Sequence, residues 1–167
     1  MRMTGCCGTG SQEGTKGEYE TVRIEKATTH CAHCEEYEKR LKSKPVAVIC
    51  CEGGCLRGEV ARQAANLLCY SLAPEKTARV CLGGAFTKDT GQRNVVREAS
   101  RVIALEGCFV NCSSRMMKGV VDGLAPEVII ADTLYDFDRK LFAIDEMPAA
   151  EISAHARAVA QKIAESF

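Results

Sequence analysis

Val46-Ala47-Val48-Ile49-Cys50 runs directly into Cys51-Glu52-Gly53-Gly54-Cys55, and Val60, Ala64, Leu67 and Leu68 follow at helical spacing. A short β-rich apolar run, a glycine turn and an amphipathic stretch, in that order, form the first half of a βαβ unit. The pattern repeats downstream. Residues 78–82 read as a second strand ending in Gly83-Gly84, with a helix expected over 89–100 that turns Val95 and Val96 inward. Residues 101–105 are a strong third strand, and residues 112–124 carry Met116, Met117, Val120 and Val121 as a helix. Residues 127–131 give a fourth strand, and 148–167 a closing helix with Ile152, Ala156, Val159 and Ile163 on one stripe. The first helix is expected over 58–72, stopped by Pro74. Strands alternating with helices predict an α/β fold: a small doubly wound, Rossmann/flavodoxin-like parallel sheet of about four strands, with helices on both faces.

Outside that pattern lie two segments. Residues 1–17 hold Gly5, Gly8, Gly10, Gly14 and Gly17 among small polar neighbours and read as a flexible tail, because they bury too little apolar surface to offset the entropy of ordering them. Cys6 and Cys7 in that tail read as incidental. Residues 18–44 form an N-terminal extension, and residues 45–167 the α/β domain.

The 167-residue chain balances 22 Lys and Arg against 22 Asp and Glu, with aromatics at 5%, which excludes a basic nucleic-acid surface. No apolar run approaches the roughly 20 residues a bilayer needs, and the start has no export signal, so the expected location is cytoplasmic, with no membrane contact. Eleven cysteines in such a chain argue for metal binding or thiol chemistry, since the cytosol keeps thiols reduced.

On the expected scaffold Cys50, Cys51 and Cys55 follow the first strand, Cys81 ends the second, and Cys108 and Cys112 follow the third. Loops after parallel strands emerge together at the carboxyl edge, so cysteines distant in sequence converge there. Cys51-Glu-Gly-Gly-Cys55 and Cys108-Phe-Val-Asn-Cys112 each set two thiols across a turn that enters a helix, where free amides favour the thiolate. A nucleotide-binding reading of Gly53 and Gly54 fails because neither glycine-rich phosphate motif is present, and Arg57 reads as a solvated helix residue. His30-Cys31-Ala-His33-Cys34 offers a CxxC that serves equally as half of a zinc site, a second site or a redox dithiol. Cys69, in mid-helix, reads as a buried structural thiol. His155 reads as packed or surface, and Asp132, Asp136 and Asp138 as loop and capping residues.

Ala104-Leu-Glu-Gly-Cys-Phe-Val-Asn-Cys112 resembles the namesake motif of the DGC-domain family, which is taken to bind zinc. Strand-Cys51-Glu-Gly and Cys81-Leu-Gly-Gly are similar to that family's other two cysteine loops. The resemblance covers about residues 45–132, with Glu106 standing where the family has Asp. It implies a zinc domain whose ligands are Cys51, Cys81, Cys108 and Cys112, with Cys55 as an extra thiol at the same edge. Together with the CxxC the candidate metal residues are therefore Cys51, Cys81, Cys108, Cys112, Cys55, Cys31 and Cys34, and the expected cofactor is zinc. Two alternatives stand beside it: thiol-redox or sulfur-transfer chemistry at Cys51/Cys55 and Cys108/Cys112, and an iron–sulfur cluster. No acid–base pair for an enzymatic reaction is visible. The partner, small molecule or protein, is unspecified, and a homo-oligomer is left open.

Overall fold

The computed structural model describes residues 19–26, 28–29 and 31–167. Residues 1–17, with Cys6 and Cys7, and His30 therefore lie outside the described residues. Strands β1 (Val46–Cys50), β2 (Thr77–Arg79), β3 (Arg101–Glu106) and β4 (Glu127–Ile130) form one four-stranded parallel sheet in the order β2-β1-β3-β4. All of β1 is buried, as a continuous apolar run covered on both faces demands. Val46 pairs with Thr77 on one side and Arg101 on the other, and Ile103 pairs with Glu127. Three-residue β2 closes one edge, while β4 closes the other with Glu127 and Val128 exposed.

The helices are α1 (Ala32–Leu41), α2 (Leu56–Leu67), α3 (Leu82–Thr87), α4 (Gln92–Glu98), α5 (Cys112–Lys118) and α6 (Ala149–Ala164). The two-residue side-chain period of the strands sorts the core into two layers. Val46, Val48, Cys50, Ile103 and Leu105 meet α2 and α6 on one face, where Ala61, Ala64, Ala156 and Ala160 let the two helices pack closely. Ala47, Ile49, Ala78, Val80 and Ala104 meet the other helices on the opposite face, through Leu41 of α1, Leu82 and Ala85 of α3, Val95 and Val96 of α4 and Met117 of α5. The doubly wound α/β architecture read from the sequence is the architecture present.

Boundaries differ in four places. α2 begins two residues earlier than expected, at Leu56, and its last turn widens into a π-helical turn over Leu68–Leu72, where Ala73 N–H reaches Leu68 O. β2 stops at Arg79; Leu82 opens the short helix α3, which sequence reading missed because Gly83 and Gly84 within it are weak helix formers. The expected helix over 89–100 narrows to α4, since Gly91 sits at φ 59° and marks a turn immediately before it. α5 ends at Lys118 rather than at residue 124, and Gly123 at φ 69° takes the chain back toward β4.

Candidate functional site

The strand order reverses direction at β1 and β3. From β1 the chain crosses to β2 on one side, and from β3 it crosses to β4 on the other, so the loops after these neighbouring strands part and leave a crevice at their carboxyl ends. Residues 51–55 and 107–112 line it. The β1 ladder runs one residue beyond the strand, with Cys51 N–H donating to Leu105 O at 3.0 Å, which fixes Cys51 at the floor, 7% exposed.

Three glycines enclose the Cys51 sulfur. A Cβ at Gly58 would lie 3.2 Å from Cys51 Sγ and 3.0 Å from Gly53 Cα, and a Cβ at Gly53 would lie 3.2 Å from Cys51 Sγ and 3.8 Å from Cys55 Sγ. A Cβ at Gly107 would lie 2.7 Å from the carbonyl carbon and oxygen of Arg57 and from Gly58 N, so only glycine lets the β3–α5 loop touch the first turn of α2. Burial pushes the Cys51 thiol up, and the backbone amides of Gly53 and Gly107, which hydrogen-bond its sulfur, pull it back. Cys108 repeats the arrangement: burial raises it, and the Val110 amide opposes. Cys112 is raised first by burial, then by the charges of Glu106 and Cys108, while a hydrogen bond with the Cys51 thiol lowers it. Cys51, Cys55, Cys108 and Cys112 thus act on one another and share one field.

Glu106 sets the second loop. Its fully buried carboxylate accepts from Ser113 N–H at 3.1 Å, Ser113 Oγ at 2.7 Å and Ser114 N–H at 2.7 Å, satisfying free donors at the start of α5. Asn111 adopts the left-handed conformation at φ 55°, which asparagine tolerates, and its Oδ1 is buried without a hydrogen-bond partner among the described residues.

Arg57 is not solvated. At 3% exposure its Nε donates to Asp132 Oδ2 at 3.1 Å, its Nη1 to Leu141 O at 3.3 Å and its Nη2 to Arg139 O at 3.0 Å, with the guanidinium carbon 4.9 Å from the Phe137 ring centroid. Asp132 is accordingly one half of a buried ion pair rather than a loop cap. This pair, with Leu56 N–H to Phe142 O at 2.8 Å and the Cys55–Ala143 bridge, ties the segment after β4 to the Cys55 turn. Sequence reading missed Arg57 because one arginine among helix residues carries no mark of burial. Gly107 was within reach, as the middle of Glu-Gly-Cys.

The remaining candidates lie elsewhere. Cys81 is exposed, and its N–H donates to Gln92 Oε1 at 3.0 Å. Its charge acts on Cys34, which is hydrogen-bonded to Cys31, and it lines a cavity with Tyr37 of α1, Glu52 of the Cys51 loop and Arg79. Cys69 is buried, as expected, and so is Cys50, whose Sγ lies 2.8 Å from Arg79 Nη2. His155 packs on Tyr135 with ring centroids 4.6 Å apart, and Asp138 Oδ1 accepts from Lys140 N–H at 3.0 Å. Among the described residues no group of three or more His, Cys, Asp or Glu side chains is set to hold a metal ion as it stands, and no helix is long and apolar enough to cross a membrane.

Fold and site together define a doubly wound α/β domain with thiols grouped at its topological switch point. The DGC domain family matches residues 47–162, more than half of the chain, and the protein belongs to that family. Comparisons with curated proteins and with solved structures gave no match.

Proposed function

We propose that the protein binds zinc through Cys51, Cys55, Cys108 and Cys112 at the β1–β3 crevice. The observation that carries this reading is the grouping of the four thiols, which act on one another electrostatically, on two turns that the Gly107 contact with the start of α2 holds together. The donor chemistry fits: an all-thiol set favours zinc among the common hard and borderline ions. Burial and then neighbouring charge raise the Cys51, Cys108 and Cys112 thiols, so binding releases protons and is expected to draw the half-buried Cys55 and Cys108 and the exposed Cys112 inward by side-chain rotation. Asn111 Oδ1, in the loop between two of the thiols and without a partner among the described residues, supplies an acceptor for a group bound there. Bound zinc supplies a closed structural centre with four thiolates, or a Lewis acid if one of them withdraws. Cys81, which the family motif includes, stands outside the proposed set because its charge acts on Cys34.

Elemental analysis tests the proposal. About one zinc per chain is expected, falling sharply in Cys51→Ser and Cys108→Ser and unchanged in Cys69→Ser. Equal zinc in all three variants would remove the site from the crevice. The hydrogen bond between the Cys51 and Cys112 thiols favours a second reading, a redox pair across the two loops; a metal-free protein that loses these two thiols on oxidation would establish it instead.

A further inference from the structure

Cys31 and Cys34 lie away from the crevice and are not needed by it. Cys31 holds the N-cap of ten-residue α1 in an extended conformation, and Cys34 N–H donates to Cys31 O at 3.1 Å, so both thiols stand at the first turn of one helix. That turn is fixed against the domain. A Cβ at Gly91, which has φ 59°, would lie 3.4 Å from Cys34 Cβ, so glycine allows the turn before α4 to close on Cys34. Further along α1, Tyr37 Oη donates to Arg79 O at 2.7 Å, Asn94 Nδ2 donates to Glu38 Oε1 at 3.3 Å, and Leu41 enters the core. The Lys88 ammonium is buried without a hydrogen-bond partner among the described residues, within electrostatic reach of both thiols.

We propose that Cys31 and Cys34 are a dithiol–disulfide exchange pair, with Cys31 as the attacking sulfur, Cys34 as the resolving sulfur and Lys88 as the charge that positions the reaction, acting on a disulfide substrate. The Cys31 thiolate attacks one sulfur of the substrate disulfide. The Cys31–substrate bond forms as the substrate S–S bond breaks, and the departing thiolate takes a proton from water. Cys34 then gives up its proton and attacks Cys31 Sγ, expelling the second substrate thiolate and closing Cys31–Cys34. The pair loses two electrons and two protons, and the substrate disulfide gains both.

The two thiols already differ as these roles require. The Cys34 backbone amide and then the Cys34 thiol hold Cys31 below the ordinary thiol range, while hydrogen bonding to Cys31 and burial hold Cys34 above it. The other charged groups nearby are the His33–Glu36 pair on α1, Glu35 beside it, the Cys81 thiol, and Asp89, which Arg93 and Arg97 engage. A metal needs three or four donors, whereas among the described residues two thiols here hydrogen-bond each other and Cys81 acts on Cys34 by charge alone.

The test equilibrates the full chain with glutathione disulfide and glutathione at varied ratios, then alkylates it and analyses the tryptic peptide 27–39, which carries both cysteines. A two-electron transition to a Cys31–Cys34 disulfide is expected. Cys34→Ser traps a mixed disulfide on Cys31, and Cys31→Ser abolishes exchange. Lys88→Met slows Cys31 alkylation severalfold near neutral pH and moves its pH profile upward, whereas Lys88→Arg restores both. Faster oxidation by insulin than by glutathione disulfide identifies a protein disulfide as the substrate, and the reverse identifies a small one. The proposal is overturned if peptide 27–39 stays reduced at every ratio, if Cys31 and Cys34 alkylate at equal rates, or if a chelator is needed to free these two thiols.

Discussion

Replacing Gly107 with alanine tests whether the contact between the β3–α5 loop and α2 holds the site together. The added Cβ would sit 2.7 Å from three backbone atoms, Arg57 C, Arg57 O and Gly58 N, none of which can swing aside as a side-chain tip can. Overpacking typically costs about 1–3 kcal/mol, and a backbone obstacle belongs at the upper end. The less flexible unfolded chain of the variant returns up to about 1 kcal/mol, leaving a net loss of about 2 kcal/mol. For a chain of this size that is about 4–8 °C in Tm. The control is Gly83→Ala in α3, where a new Cβ meets nothing within 4 Å and helix propensity predicts a gain of about 0.5–1 kcal/mol. Thermal unfolding of both variants by circular dichroism, with zinc content measured on each, gives the comparison. Gly107→Ala should melt lower and hold less zinc, because separating the loops withdraws the Gly107 amide from Cys51. A Gly107→Ala protein that melts with Gly83→Ala and keeps its zinc would refute the reasoning.

Arg57→Met leaves buried Asp132 with only the exposed Arg139, 3.9 Å away, and should cost about 3 kcal/mol in urea unfolding, with Arg57→Met/Asp132→Leu recovering part of it; no recovery would mean the pair is not the anchor. Glu106→Gln sets an amide NH2 against the Ser113 and Ser114 donors and should lower stability by about 1–3 kcal/mol, and an unchanged denaturation midpoint would contradict the cap. Burial raises the Cys69 thiol to about 11, above its unfolded value of about 8.5. Its contribution to stability is therefore complete below about pH 8.5 and declines as pH rises toward 11, and Cys69→Ala should flatten that decline in unfolding curves taken across the window.

The sheet was legible because β1 and β3 are apolar on both faces and glycine turns follow them, so period and punctuation agree. Less of the site could be read. The motif named Cys51, Cys81, Cys108 and Cys112 together; Cys51, Cys108 and Cys112 act on one another in the structure, while Cys81, exposed at the start of α3 after the edge strand β2, lines a cavity with Glu52 and Arg79. Strand order decides this, and no local pattern encodes strand order. The burial of Arg57 and Asp132 was hidden for a related reason: their contact spans 75 residues and depends on how the segment after β4 folds back. The substitution of Glu106 for the family's aspartate left its role open in sequence; in the structure its longer arm reaches three donors of α5.

The thinness of β4 bears on how this protein would fail. Four residues, half of them exposed, separate solvent from six-residue β3, whose Val102-Ile103-Ala104-Leu105 run is the most apolar stretch after β1. Fraying of β4 uncovers a row of unpaired amides and carbonyls on a β-branched template, which is the geometry that recruits strands from other chains. The Arg101–Glu127 ion pair, at 2.7 Å, clasps the two strands at the end where such fraying would begin. Loss of that clasp would show first as precipitation on storage or heating, ahead of any change in the thiol centres.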